Sequence, residues 1–242
     1  MIKFDPTGQV AVVALIPILK HELNSIRQGA IIALAEIGPN AKDAVPALIV
    51  TLEDEVGKIR RESAKALGLI GSDAKVAETA LIAALKDKDS YVRMNAASAL
   101  GKIGAKPKDT MPALIKVLLY DKKDSARSSA ARALGQFGSE AKDAVPGLIG
   151  MLKRADDNER KFSAEALGKI GPAAKEAVPA LIDTLKDEVN MVRYNAAIAL
   201  SKIDPTYKEP VPVLKKALKY QVFDYPAQAR AALEKIDPTV VP

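Results

Sequence analysis

Residues Lys86–Gly104 read KDKDSYVRMNAASALGKIG, and this stretch decides the fold. Val92, Ala96, Ala97, Leu100 and Ile103 fall on one face of a helix of 3.6-residue period. Gly104 follows the last of them, where a residue free to take positive φ ends a helix. The charged run Lys86-Asp87-Lys88-Asp89 ahead of them reads as a turn. Nothing in the stretch alternates with period two, so a strand is excluded.

The same pattern repeats along the chain. Val92-Arg93-Met94-Asn95-Ala96-Ala97 returns as Val192-Arg193-Tyr194-Asn195-Ala196-Ala197. The Ile-Gly or Ile-Asp ending, Phe-Gly at one place, recurs at Gly38, Gly71, Gly104, Gly138, Gly171, Asp204 and Asp237, in steps of 33, 33, 34, 33, 33 and 33 residues. Upstream of each second helix lies a first one, seen in Val45-Pro46-Ala47-Leu48-Ile49 and again from Met111, Val145 and Val178. Pro suits a first helical turn, because its missing N–H has no intrahelical partner there. Repeats of about this length are helix pairs that bury their apolar faces only by stacking on neighbours. The units run approximately 10–38, 45–71, 78–104, 111–138, 145–171, 178–204 and 211–237, one array across residues 1–242.

Composition agrees. Of 242 residues, 48% are apolar, mostly Ala, Leu, Ile and Val, while Trp is absent and aromatics are 4%. Hydrophobicity is too high for disorder. No cysteine is present, which removes disulfides, thiolate zinc sites and cysteine nucleophiles together. The net charge of +6 is spread along the chain, unlike the clustered patch of a dedicated nucleic-acid binder. Lys3 ahead of the apolar run Val10–Leu19 has the look of an export signal, but Asp5 interrupts it and the run is in register with the later first helices. No stretch approaches the ~20 apolar residues of a membrane span. The expected location is cytoplasmic.

An acidic residue precedes an Arg by six positions at Asp54 and Arg60, Asp87 and Arg93, Asp121 and Arg127, and Asp187 and Arg193. With the Pro and the Ala-Leu-Gly-x-Ile-Gly ending, this spacing resembles HEAT repeats. The short, regular form is similar to the repeats of bilin-lyase-type HEAT proteins and of consensus-built artificial HEAT binders. The resemblance implies an all-α, right-handed α-solenoid of seven HEAT-like helix pairs, with an Asp–Arg ladder tying each turn to its neighbour. Three repeats depart from the pattern. The first has His21 in place of the Asp and Pro17 inside its first helix, which should kink or shorten that helix. The fifth has Arg154 in place of the Asp, and the seventh has Pro226 in place of the Arg.

Chemistry is hard to find. His21 is the only histidine, so neither a His-based metal site nor a Ser-His-Asp constellation can be assembled. No phosphate-binding loop or Gly-x-Ser-x-Gly turn occurs. The expectation is no enzyme and no cofactor.

The resemblance also implies that second helices line a concave groove. It assigns to that groove Tyr91, Met94, Asn95, Ser98, Arg132, Lys161, Phe162, Met191, Tyr194, Asn195 and Ile198. Aromatics, Met and Arg are enriched at protein interfaces, and the charges at the groove positions are of mixed sign. A non-catalytic scaffold binding a protein or peptide is therefore expected, with self-association possible through the array ends. The alternatives are a nucleic-acid-binding HEAT solenoid, or an accessory lyase or chaperone for a tetrapyrrole-bearing protein.

Overall fold

The computed structural model describes residues 8–219 and 225–240. Among these it is all-α, with no strand. Seven helix pairs follow one another: α1 (Gln9–Ile18) and α2 (Asn24–Ile37), α3 (Val45–Thr51) and α4 (Gly57–Ile70), α5 (Glu78–Ala84) and α6 (Ser90–Lys102), α7 (Pro107–Tyr120) and α8 (Asp124–Gln136), α9 (Val145–Met151) and α10 (Asp157–Ile170), α11 (Val178–Thr184) and α12 (Asn190–Ile203), and α13 (Val211–Ala217) and α14 (Tyr225–Ile236). The chain forms two compact units, Met1–Val117 and Leu118–Pro242.

Each unit is a run of α-solenoid. In the first, α4 packs between α2 and α6, and each rests on its own first helix. In the second, α8, α10, α12 and α14 pack in series, with α9, α11 and α13 behind the last three. Leu67, Leu81 and Leu100 in the first unit, and Leu134, Leu148, Leu167, Leu181 and Leu200 in the second, are fully buried. Each such side chain contributes roughly 1.5–3 kcal/mol of burial free energy.

Glycine governs how close the second helices come. A Cβ on Gly68 would lie 3.0 Å from Ala99 Cα, on Gly135 2.9 Å from Ala166 Cα, and on Gly168 2.9 Å from Ala199 Cα. The Ala-Leu-Gly ending is thus a packing device as well as a stop signal. The stop itself is Gly38, Gly71, Gly104, Gly138 and Gly171, all at positive φ. After four of these the chain winds into a 3-10 turn, such as Gly71–Ala77, before the next first helix begins. Nothing in the sequence pattern distinguished those turns from loop. The fourth repeat lacks one. There α7 starts at Pro107, five residues before Pro112. The Glu78 carboxylate pins that start, accepting from Lys106 N and Thr110 Oγ1, both at 2.8 Å. Pro17 lies in the last turn of α1, which ends at Ile18.

The ladder is real and has two parts. Three of the arginines reach forward to an aspartate of the next repeat, Arg27 to Asp54, Arg60 to Asp87 and Arg160 to Asp187, with Nε and Nη2 each donating to one carboxylate oxygen at 2.7–3.2 Å. Nη1 meanwhile donates to the backbone of its own turn, Arg60 to Asp54 O at 2.8 Å and Glu55 O at 3.0 Å. The six-residue spacing therefore records a side chain closing its own turn. The carboxylate at the head of that turn belongs to the previous repeat's Arg, and it also accepts an amide two residues on, as Asp54 does from Val56 N at 2.8 Å. His21 does the same job in the first repeat, its Nδ1 accepting from Leu23 N at 3.0 Å.

The fifth repeat's departure is explained by a residue outside the pattern. Arg154 stands 27 positions after Arg127, where the acid should be. Arg127 Nε instead donates to Glu159. Glu159 occupies the core position that Ile59, Val92 and Val192 fill elsewhere, and it is 2% exposed.

Candidate binding surfaces of the second helices

In the first unit the surface centres on α6. Tyr91 is 53% exposed, and the Arg61 guanidinium from α4 lies 4.5 Å from its ring centroid. Asp89 builds this pair. As N-cap of α6 its Oδ1 accepts from Tyr91 N at 2.8 Å, while its Oδ2 accepts from Arg61 Nε at 2.7 Å. Burial works to raise the Asp89 carboxyl, but the Arg61 hydrogen bond and the Tyr91 amide outweigh it and hold it below the ordinary range. Asn95 Nδ2 donates to Arg61 O at 2.9 Å. Met94 and Ser98, half-buried, complete the face. The result is an exposed aromatic ring with its cation held by Asp89.

In the second unit Phe162 on α10 carries two cations. The Arg132 guanidinium from α8 sits 4.8 Å from the ring centroid and Lys161 Nζ 4.3 Å from it. Beside it a cleft of about 490 Å³ opens between α10, α12 and α14. Of the expected residues, Lys161, Phe162, Met191, Asn195 and Ile198 line it.

Two expectations need correction. Tyr194 is 4% exposed and Ile198 6%. Both belong to a buried cluster with Leu214, Ala217, Ala229 and Leu233 of the seventh repeat. The Tyr194 ring tilts against Tyr225, centroids 5.7 Å apart. Tyr194 shares its helical register with Met94, but its ring is taken up by α13 and α14, so it is core and not a groove anchor. Ile198 keeps only an edge at the cleft.

The sequence reading also missed residues. Tyr225 and Gln228 come from α14, and Lys169 and Lys202 from the last turns of α10 and α12. Tyr225 Oη accepts from Asn195 Nδ2 at 3.0 Å, and burial pushes its phenol above the ordinary value. The lysines at 169, 202 and 235 recur at the repeat period, a signal available in the sequence but outside the positions assigned to the groove.

Among the described residues no helix is long and apolar enough to cross a membrane, and no group of three or more His, Asp or Glu could hold a metal ion.

A model of HEAT repeats matches residues 12–79, 73–135 and 145–234, and a model of the PBS lyase HEAT-like repeat matches 126–154. No curated protein sequence matches the chain. Among solved structures, an engineered protein is similar at 26% identity and a TM-score of 0.61, over 93% of this chain and 68% of that one. A designed armadillo repeat protein is similar at 19% identity and a TM-score of 0.64, over 80% and 100%. The complex of CpcE and CpcF of phycocyanin lyase from Nostoc sp. PCC7120 is similar at 24% identity and a TM-score of 0.63, over 99% of each chain. The last two likenesses speak for the fold alone.

Proposed function

The chain belongs to the HEAT-repeat family, and from that premise we propose that it is a non-catalytic scaffold whose second-helix faces bind a protein or peptide partner. The observation that carries the reading is the pair of built aromatic–cation sites, Arg61 on Tyr91 and Arg132 with Lys161 on Phe162. A buried hydrophobe would do as well for stability. At Tyr91 a large ring is left accessible with its cation fixed by Asp89, and Tyr and Arg are among the residues enriched where a few side chains carry most of the binding energy. The ladder arginines do not compete for this role, since Arg27, Arg60, Arg127 and Arg160 are bound to carboxylates. Met94, Asn95 and Ser98 accompany Tyr91, and Met191 and Asn195 accompany Phe162, as the partner-contacting neighbours.

Selection from a random peptide library on the full chain tests this. Enriched peptides should lose about thirtyfold in affinity on Phe162→Ala or Tyr91→Ala, the ~2 kcal/mol of a central aromatic anchor, with the melting temperature unchanged. Binding should fall only modestly with salt, whereas a nucleic-acid binder loses affinity steeply. Failure to enrich any peptide, or peptides indifferent to both substitutions, would remove the proposal.

A further inference from the structure

The cleft between α10, α12 and α14 has an unusual division of chemistry. Its floor is apolar and close to backbone, because Ala164, Gly168 and Ala199 are all small there, and Phe162, Met191, Ile198 and Tyr225 wall it. Its rim is cationic. Among the described residues, Lys161, Lys169 and Lys202 line the cleft with one carboxylate, Glu165. Glu165 is already engaged, its Oε1 accepting from Lys169 Nζ at 2.7 Å. A smaller cleft continues from this one, sharing Ile198, Lys202 and Gln228 and adding Lys235. Among the described residues the two together hold four lysines and one glutamate.

On the peptide-binding reading above, we infer that this cleft takes an acidic peptide segment, with one apolar or aromatic side chain between the Phe162, Met191 and Tyr225 walls and flanking carboxylates on Lys161, Lys202 and Lys235. Charge complementarity selects the occupant. Lys169, Lys202 and Lys235 each sit in the last turn of a helix, where a cation is favoured, but side by side at the repeat spacing they repel one another, and Lys202 records that cost. Desolvation in the cleft wall pushes its ammonium below the ordinary lysine value, and the charges of Lys235 and Lys169 push it further. An incoming carboxylate relieves that repulsion.

A second feature favours a peptide over a phosphate backbone. Asn195 Nδ2 donates to Met191 O at 2.7 Å and to Tyr225 Oη at 3.0 Å. Both amide hydrogens are thereby used, and the orientation of the side chain is fixed. What Asn195 has left to offer a ligand is its Oδ1 acceptor. A peptide N–H can donate to it, and a phosphate diester has no donor to give.

The test titrates the full chain with four labelled probes: a glutamate-rich peptide with one central Phe, its glutamine counterpart, the glutamate peptide with Ala for Phe, and a single-stranded DNA of equal charge. The first should bind roughly tenfold tighter than each of the others, about 1.4 kcal/mol. Lys202→Glu should weaken it by roughly tenfold, and Gln228→Glu, which brings a carboxylate from α14, should do likewise. Lys58→Glu, the same charge change on α4 of the other unit, should leave it unaltered. Equal binding of the glutamine peptide with sensitivity to Phe162→Ala would overturn the acidic specificity and keep the scaffold reading. No binding of any peptide would sink both. DNA binding as tight as the best peptide, or a Lys58→Glu effect equal to that of Lys202→Glu, would reduce the cleft to unspecific charge attraction.

Discussion

Arg127 donates from Nε to Glu159 across a repeat boundary, 32 residues along the chain, where its counterparts Arg27, Arg60 and Arg160 each bind an aspartate 27 residues along. Two sequence changes make this possible. The turn loses its acid at Arg154, and the core position of α10 gains one at Glu159. The Glu159 hydrogen bond raises the Arg127 guanidinium above its ordinary value, against the desolvation that opposes its charge.

This exchange predicts a coupled pair. Glu159→Val leaves a largely buried guanidinium unpaired and should cost about 3 kcal/mol, the usual penalty for breaking a buried ion pair. Adding Arg154→Asp restores the pattern of the other repeats and should recover more than half of that loss. Urea denaturation of the two single variants and the double variant measures the coupling. Additive effects would mean that Arg127 does not read position 154.

The ladder also sets the acid limb of stability. Burial works to raise Asp87 and Asp187, yet hydrogen bonds from Arg60 and Arg160, backbone amides and the arginine charges hold both below the ordinary aspartate value. A carboxyl depressed in the folded state stabilises it fully above the unfolded pKa, about 3.9. That contribution is lost as pH falls through the folded pKa. Stability should therefore be flat near pH 6 and decline below about pH 4. Asp187→Asn should lower the plateau and flatten the decline, as denaturant midpoints across pH would register.

Glycine substitutions of one kind should have opposite signs at two helical sites. Gly168→Ala puts a Cβ 2.9 Å from the Ala199 backbone, so α10 and α12 must separate, at about 1–3 kcal/mol. Gly29→Ala on α2 meets nothing within 4 Å and should stabilise by roughly 0.5–1 kcal/mol through helix propensity and a less flexible unfolded chain. Thermal unfolding of both variants decides whether close approach or intrinsic propensity rules at position 168.

The two tyrosines separate packing from presentation. Tyr194→Ala empties part of the cluster around Leu214 and Leu233 and should cost roughly 3–5 kcal/mol. Tyr91→Ala removes a ring that is 53% exposed and should cost under ~1 kcal/mol. Comparable losses in calorimetry would mean that Tyr91 is core as well.

The repeat period, the helix pairs, the glycine stops and the existence of a ladder were all readable from residues such as Val92, Gly104 and Arg60. Each follows from local rules that recur along the chain: apolar spacing, φ freedom and fixed offsets. What the sequence left undetermined depends on side chains from different repeats meeting. Position 194 matches position 94 in register, yet whether its ring faces solvent depends on what α13 and α14 bring against it. The partner of Arg127 could not be read from a spacing rule, because Glu159 left the pattern to supply it. The cleft likewise draws Lys161, Lys202 and Tyr225 from three repeats, and only packed helices bring them to one place.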